Sequence, residues 1–353
     1  MTRRNHSEVF FLMEQIISCG EKCNPGFVED EPDGYGNTCE TFPSAPEENL
    51  SVQPATISED DARQSFLEYA EKHCCYSSAP AQDMTIQNLQ NFNTHRYSLV
   101  TFTESRTCAW KAEPYNGQEV DGPANGPAPS TWEVIVNRPD WFVTGQNRVR
   151  VPHTSVVEIC SNCCGRGRVR CASCCGTGRG MCMGCCGSGR SGDRMCYSCG
   201  GIGRARCSWC SGTGLQLCFT CVGKGELLKY LRLKVKWENH NFNFIADHKS
   251  DFPNKRFKKV TGKIVFSDER QMVSPVTNFP ETSINEASQN VIVQHRTEFQ
   301  QCRILRQRHS IEWLPLTKVN YIWKSTEYDY YVYGNENKAY AKNYPRKCCC
   351  AVM

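Results

Sequence analysis

Six copies of the pattern C-x-x-C-x-G-x-G follow one another between Cys160 and Gly225. Two cysteines three positions apart can place both sulfurs on one metal ion when the chain turns tightly between them. The first glycine of each copy allows a positive φ without a Cβ clash, and the second lets the chain leave the turn. Because tetrahedral zinc takes four thiolates and each copy supplies two, six copies predict three zinc sites of four cysteines each.

The spacing of the copies predicts which of them share a metal ion. Their first cysteines fall at 160, 171, 182, 196, 207 and 218, so the intervals are 11, 11, 14, 11 and 11. This series is the same in both directions, as a hairpin folding about its centre requires, with residues 190–195 as the turn. We therefore predict three nested zinc sites: a tip site of Cys182, Cys185, Cys196 and Cys199, a middle site of Cys171, Cys174, Cys207 and Cys210, and a base site of Cys160, Cys163, Cys218 and Cys221.

Sequential pairing, in which the first copy shares a metal with the second, is the alternative, but it gives no reason for the longer central interval. In a nested hairpin the linkers 168–170 and 215–217 face each other as short strands, and so do 179–181 and 204–206. The segment has almost no apolar residues for a core, so its folding must rest on zinc, worth on the order of 10 kcal/mol per site.

Three further cysteines directly follow the first three C-x-x-C pairs. A redox function for these spare thiols is one interpretation, since reactive thiols are exposed and have a low pKa. Tolerated small residues are the interpretation we favour, because the other three copies carry different residues at the same position. The spare thiols are Cys164, Cys175 and Cys186, and the equivalent residues are Gly200, Ser211 and Val222.

The positive charge of the repeat segment raises the question whether the segment binds nucleic acid. Residues 160–225 contain eight arginines and Lys224 against one acid, Asp193. Twelve thiolates and three Zn²⁺ would together contribute six negative charges and leave a net charge of about +2. The whole chain carries only +4. We therefore expect the arginines to balance the zinc–thiolate centres, and we do not expect nucleic acid to be the partner.

The rest of the sequence predicts the elements that position this segment. Ser58 precedes three acids and an apolar stripe of Phe66, Leu67 and Ala70, which predicts a helix at 58–73. Alternating apolar residues predict strands, and a longer periodic segment predicts a second helix at 282–300. The predicted strands are 97–103, 132–136, 148–151, 230–237 and several within 303–333. The fold class is therefore α+β, a mixed body of antiparallel strands and a few helices with an inserted zinc-knuckle β-hairpin.

This pattern divides the chain into five segments. They are a largely disordered N-terminal tail (1–56), an α+β segment (57–157), the cysteine-rich zinc hairpin (158–226), a β-rich segment with one helix (227–343) and a basic, Cys-containing tail (344–353). The assignment of the N-terminal tail rests on a composition rich in Glu, Asp, Pro and Ser.

The repeat resembles the DnaJ-type cysteine-rich zinc domain, which has four such copies and two nested zinc sites. The sequence contains no His-Pro-Asp tripeptide, so the resemblance does not extend to a J-domain. With its flanking α+β segments, the chain more closely resembles the ssu-two homolog family, DnaJ-like proteins that lack a J-domain. The quoted motifs cover residues 160–225.

The resemblance implies a non-enzymatic zinc protein that binds other proteins, including unfolded or client chains, in a chaperone-like or adaptor role. It does not imply stimulation of an Hsp70 ATPase. The sequence shows no phosphate loop, H-E-x-x-H motif or nucleophile elbow, so we expect no enzyme activity. A thiol–disulfide protein is the first alternative and a nucleic-acid-binding zinc protein the second.

Residues at both ends of the chain indicate where in the cell the protein is found. Arg3 and Arg4 precede a short apolar run, but no cleavage site follows, and no run reaches the length of a membrane span. We expect a cytoplasmic protein, with the nucleus as a further location. The last four residues fit a prenylation box that predicts farnesylation of Cys350, with Cys348 and Cys349 as sites for palmitate and a lipid-anchored pool on membranes as the consequence.

Overall fold

A computed structural model describes residues 57–345, and the predicted N-terminal tail and the last eight residues lie outside this range. These residues form two compact units. The first contains Ser105–Arg138 and Gly145–Lys236, and the second contains 57–104, 139–144 and 237–345. Neither the predicted disorder of 1–56 nor the lipidation of the C-terminal cysteines falls on described residues.

The described residues contain three α-helices and sixteen strands, some of them very short. The helices are α1 (Glu59–Glu71), α2 (Ala79–Asp83) and α3 (Thr282–Glu298). The strands are β1 (Thr85–Asn91), β2 (Thr94–Pro114), β3 (Gly145–Arg150), β4 (Val156–Ile159), β5 (Arg168–Arg170), β6 (Arg179–Met181), β7 (Arg190–Ser191), β8 (Arg194–Met195), β9 (Arg204–Arg206), β10 (Leu215–Leu217), β11 (Glu226–Ile245), β12 (Lys263–Arg270), β13 (Arg303–Leu314), β14 (Leu316–Trp323), β15 (Thr326–Tyr333) and β16 (Lys338–Tyr340).

Helix α1 begins where the sequence predicts. The Ser58 hydroxyl accepts a hydrogen bond from the Asp61 backbone N–H at 3.0 Å, which satisfies one of the free donors of the first turn. Phe66 is fully buried and stacks on Tyr330 with ring centroids 4.1 Å apart. The helix thus covers an antiparallel sheet of order β1-β14-β15-β16, and the prediction of a helix at 58–73 is confirmed.

The larger sheet has the order β12-β13-β2-β11-β3, and β4 also pairs with β11. Helix α3 packs on the portion of this sheet that lies in the second unit. Its residues Ile284, Val291 and Ile292 join Tyr97 and Ile311 in one buried cluster. The predicted helix at 282–300 is confirmed. The α+β class is confirmed as well, because the structure combines a few helices with antiparallel strand pairs, nine of which have a defined register.

The predicted strand at 132–136 is wrong. These residues lie in the loop between β2 and β3, where Ile135 is 93% exposed and only Val134 is buried. The Arg106 guanidinium donates hydrogen bonds to the carbonyls of Thr131 and Val134 and stacks on the Trp132 ring. Side-chain donors therefore satisfy backbone groups that a strand ladder would otherwise have used.

The cysteine-rich segment begins and ends on neighbouring strands of the first unit. Strand β4 runs antiparallel to the start of β11, with Ile159 opposite Glu226. The next residue, Cys160, donates its backbone N–H to the Gly225 carbonyl at 2.8 Å. The insertion is therefore a hairpin whose two ends are held together at the sheet.

Candidate metal centres

The hairpin brings its twelve C-x-x-C cysteines together in three groups of four. Each group contains the four cysteines predicted for one nested site. Sequential pairing would have brought different cysteines together. They are the base group Cys160, Cys163, Cys218 and Cys221, the middle group Cys171, Cys174, Cys207 and Cys210, and the tip group Cys182, Cys185, Cys196 and Cys199. All twelve side chains are buried. Within residues 57–345 no further group of three or more His, Cys, Asp or Glu ligands comes together in this way.

The sulfur geometry fits a tetrahedral ion. In every group the four Sγ atoms lie within 4.8 Å of one another, and the closest pairs are separated by 3.6 to 3.9 Å. A tetrahedron with Zn–S bonds of about 2.3 Å has edges of about 3.8 Å. A disulfide would need about 2.05 Å, so these contacts are not disulfides. The three groups could therefore each hold a metal ion.

Short paired strands carry the hairpin from one group to the next. Strands β5 and β10 pair between the base and middle groups, and β6 and β9 pair between the middle and tip groups. Strands β7 and β8 close the tip. The linkers that the spacing predicts as strands therefore are strands, with Arg168 opposite Leu217 and Arg179 opposite Arg206.

Paired copies are joined reciprocally through their backbones. In the base pair, Cys160 donates its N–H to Gly225, and Cys218 donates its N–H to Gly167 at 2.9 Å. The middle and tip pairs repeat this exchange, with Cys171 bonded to Gly214, Cys207 to Gly178, Cys182 to Gly203 and Cys196 to Gly189. Each group of four cysteines therefore sits inside a hydrogen-bonded frame that fixes which copies are partners.

The second glycine of each copy has two structural roles. Its N–H donates to the Sγ of the second cysteine of the same copy, at 3.2 to 3.3 Å in all six copies. Its Cα lies against the partner copy, so that a Cβ at Gly178 would be 2.4 Å from the Gly212 carbonyl oxygen. From the sequence we expected this glycine only to let the chain leave the turn. The close approach of the partner copy is a second reason why the position needs glycine.

The residue after the second cysteine has a left-handed backbone in every copy, although five of the six are not glycine. Its φ lies between +46° and +60°, a conformation that costs a residue with a Cβ about 1–2 kcal/mol. The spare thiols Cys164, Cys175 and Cys186 occupy this position and are exposed. Each donates its S–H to a carbonyl three residues earlier, and none belongs to a group of four.

Burial and hydrogen bonding shift the pKa values of the base-group thiols in opposite directions. Backbone N–H donors, first that of Cys221, lower the pKa of Cys218 to about 6. Burial raises the pKa of Cys163 in the same group to about 11. A divalent cation between the sulfurs would favour the thiolate form of the ligands.

Asn162 is a residue of the base group that the sequence analysis did not single out. Its Nδ2 donates to the Cys218 Sγ at 3.2 Å and to the Thr220 hydroxyl oxygen at 3.2 Å, so it bridges the two copies. Only the first copy has Asn directly before its second cysteine. That difference between copies is the signal that could have identified it.

The hairpin has no carbon-based core of its own. Between residues 160 and 225 the buried residues are the twelve grouped cysteines and the second glycine of each copy. Leu227 and Val169 pack against the base group, and Ala205 packs against the tip group. The cysteine groups therefore take the place that apolar side chains occupy in an ordinary domain.

These observations define a class: an antiparallel α+β protein with an inserted hairpin of three four-cysteine groups. The chain belongs to the SSUH2 homolog family. It is 50% identical to a protein SSUH2 homolog of Danio rerio over 300 residues, which cover 84% of this chain and 83% of that protein. It is 43% identical to a protein SSUH2 homolog of Homo sapiens over 304 residues, covering 85% and 81%.

A third relative, a protein SSUH2 homolog of Mus musculus, is 47% identical over 254 residues, covering 71% of this chain and 75% of that protein. No protein-family model and no solved structure matches the chain. Among the described residues no helix is both long and apolar enough to cross a bilayer.

Proposed function

We propose that this protein is a DnaJ-like zinc protein without a J-domain, which acts by binding other proteins and not as an enzyme. Three Zn²⁺ ions in the three cysteine groups would form its scaffold. The all-thiolate donor sets suit zinc, and the 3.6 to 3.9 Å sulfur separations agree with its bond length. Four protein ligands at each ion leave no open position for a substrate, which supports a structural role.

The observation that carries this proposal is the exposed apolar surface of the hairpin. Ten of the eighteen large, exposed apolar side chains of the described residues lie between residues 160 and 225. Tyr197 is fully exposed, and Met183 and Phe219 are each 84% exposed. Concentrated exposed apolar surface marks an interaction site, and a scaffold held by metal can expose such side chains without losing its own core.

Suppression of aggregation tests this function. The zinc-loaded chain should keep a thermally unfolding test enzyme in solution, measured by light scattering. Replacing Met183, Trp209 and Phe219 by Ser should weaken the effect severalfold, because these side chains supply contact area and hold no metal. The matched control replaces Ile135, Ile264 and Val293, which are exposed outside the hairpin. No suppression by the unmodified chain, or an equal loss in the control, would contradict the proposal.

A redox function is the second candidate, and the exposure of Cys164, Cys175 and Cys186 is the observation that favours it. Serine fits their left-handed position, because Ser211 adopts the same backbone in the fifth copy. The variant with all three cysteines replaced by Ser should therefore bind zinc and polypeptide normally if contact is the function. Loss of binding to the test enzyme with full zinc content would favour the redox function instead.

The remaining proposals concern partners and place. We propose unfolded or client chains as partners, with no stimulation of an Hsp70 ATPase, because the sequence has no His-Pro-Asp tripeptide. We propose a cytoplasmic protein, also present in the nucleus, with a farnesylated pool on membranes. The evidence for that pool is the Cys350-to-Met353 box beside Cys348, Cys349 and Lys347. Mass spectrometry of the cellular protein should find farnesyl on Cys350, and an unmodified Met353 end would exclude it.

A further inference from the structure

The arginines of the hairpin are exposed and have no acidic partners. All eight are on the surface. No ion pair joins any of them to an acidic residue in the part of the chain that the structure describes, and none donates to a ligand-group sulfur. The expectation that the arginines balance the charge of the zinc–thiolate centres stays a prediction, because charge balance needs no hydrogen bond to the sulfurs. Their charge faces outward.

Four of these arginines lie directly opposite a large aliphatic side chain on the neighbouring strand. Directly opposed residues of an antiparallel pair lie on the same face, with Cβ atoms about 5 Å apart. Such pairs occur in each of the three two-stranded ribbons of the hairpin. We name this set the Arg–aliphatic ladder: Arg168–Leu217, Arg170–Leu215, Arg204–Met181 and Arg190–Met195.

The ladder faces away from the metal groups in the two longer ribbons. In the first ribbon the alternate residue Val169 packs against the base group, and in the second Ala205 packs against the tip group. Because side chains alternate between the faces of a strand, the Arg, Leu and Met residues on either side of these point outward. Leu215 and Leu217 are 42% and 55% exposed, and Met181 and Met195 are 62% and 76% exposed.

We propose that the Arg–aliphatic ladder binds acidic polypeptide segments in which Asp or Glu is interspersed with large apolar residues. This inference rests on the proposed protein-binding function and specifies its partner. Each step of the ladder offers one guanidinium, which pairs with carboxylates in a bidentate manner, beside one aliphatic side chain that accepts an apolar residue. Three of the hairpin's exposed apolar residues are Met, whose flexible side chains adapt to partners of different shape.

The composition of the surface favours a polypeptide over the other polyanions. Single-stranded nucleic acid is held by stacking its bases on aromatic rings, but the side chains opposite the ladder arginines are Leu and Met. A membrane surface would favour apolar residues on one face and basic residues on the other, whereas the ladder places Arg and Leu or Met on the same face. Leu and Met beside Arg match the side chains of an acidic, apolar peptide.

Fluorescence anisotropy with labelled peptides tests the proposal on the full, zinc-loaded chain. The acidic probe contains Glu, Asp, Leu, Phe and Ser, and the neutral probe has Gln and Asn in place of Glu and Asp. We expect the acidic probe to bind at least about tenfold more tightly, a difference of about 1.4 kcal/mol. This preference should fall as salt is added, because exposed charges are screened.

A variant with Arg168, Arg170, Arg190 and Arg204 replaced by Gln should lose the preference for the acidic probe and keep its binding to the neutral one. Zinc content, measured on the same sample, verifies that the hairpin is intact. The matched control removes four exposed cations elsewhere, by replacing Arg148, Lys255, Lys263 and Arg296 with Gln, and should keep the preference.

The outcomes separate the two proposals. Equal binding of the acidic and neutral probes would overturn the ladder inference and leave the protein-binding function intact. Binding of neither probe would contradict the protein-binding function itself. Tighter binding of oligodeoxythymidine, or of phosphatidylcholine vesicles containing phosphatidylserine, than of the acidic probe would overturn the ladder inference in favour of another polyanion.

Discussion

At the residue scale, each copy of the repeat has two left-handed positions, three residues apart, that differ in their surroundings. At the second glycine, a positive φ coincides with contact from the partner copy, as at Gly178, where φ is +72°. At the position after the second cysteine, φ is also positive, but the space is open, as at Gly200. The first position therefore requires glycine, and the second tolerates Cys, Ser and Val.

This difference predicts a larger loss of stability for one of two glycine substitutions. Gly178→Ala should destabilise the middle group by more than the roughly 1–2 kcal/mol of a left-handed residue, because its Cβ would meet the Gly212 carbonyl oxygen. Gly200→Ala should cost no more than that amount. Zinc retention against a chelator measures both. Equal retention by the two variants would contradict the contact argument.

Asn162 predicts a specific effect on the base group. Asn162→Ala removes a hydrogen bond to the Cys218 sulfur, and a bond to a charged group is worth about 1.5–3 kcal/mol. We therefore expect the base zinc to bind roughly tenfold to a hundredfold more weakly. Ser173→Ala, at the same position of the second copy, is the control. Competition with a chromogenic chelator should show one weakened site in the first variant and none in the second.

At the element scale, the sequence predicts those elements whose backbone hydrogen bonds are local or repeated. Helix α1 has its cap and acidic first turn within a few residues, and the hairpin strands follow from the regular intervals of the cysteines. The segment 132–136 has the alternation of a strand, but Arg106, in β2, takes its carbonyls. No local pattern reports such a distant donor. The sequence marks Asn162 as a difference between the copies, but it does not show the contact with the Cys218 sulfur.

The buried polar residues between α3 and the larger sheet predict a pH effect on the second unit. His309 is 1% exposed, its Nδ1 contacts the Tyr97 hydroxyl at 3.2 Å, and Asp268 lies 3.8 Å from its Nε2. Burial lowers the pKa of His309 to about 4, against the opposing effect of Asp268. The folded state therefore binds this proton less readily than the unfolded state.

Because the pKa of His309 is lower in the folded state than in the unfolded state, neutral His309 contributes its full stability above the unfolded value of 6.5. This contribution is lost as the pH falls towards about 4. The loss amounts to about 3 kcal/mol at most. His309→Asn, which keeps an acceptor near Tyr97, should flatten the stability profile of the second unit in this range. Replacing the exposed His73 by Asn should leave the profile unchanged. Chemical denaturation at several pH values provides the measurement, and identical profiles for all three proteins would refute the prediction.

At the scale of the whole molecule, the two kinds of core differ in what holds them. The second unit is held by aromatic and aliphatic clusters, such as that of Phe66, Tyr321 and Tyr330. In the hairpin the three cysteine groups take the place of such clusters. Removal of metal should therefore unfold the hairpin and spare the second unit.

Limited trypsin digestion detects this difference, because the hairpin carries eight arginines and Lys224 as cleavage sites. In the zinc-loaded protein the folded ribbons should resist cleavage between residues 166 and 224. After zinc removal with a thiol-reactive mercurial followed by a chelator and reductant, cuts should appear there first, while residues 282–333 stay protected. Simultaneous cleavage of both regions would show that the whole chain depends on the metal.

The central claim is that three zinc ions occupy nested sites, and metal analysis of pure protein after a chelator wash tests it most directly. The unmodified chain should retain three zinc ions, one in each four-cysteine group. Cys171→Ser and Cys207→Ser combined should retain two, because both residues belong to the middle group. Retention of a single zinc by this double variant would show that the two cysteines serve different ions, and no more than one zinc in the unmodified chain would contradict the account altogether.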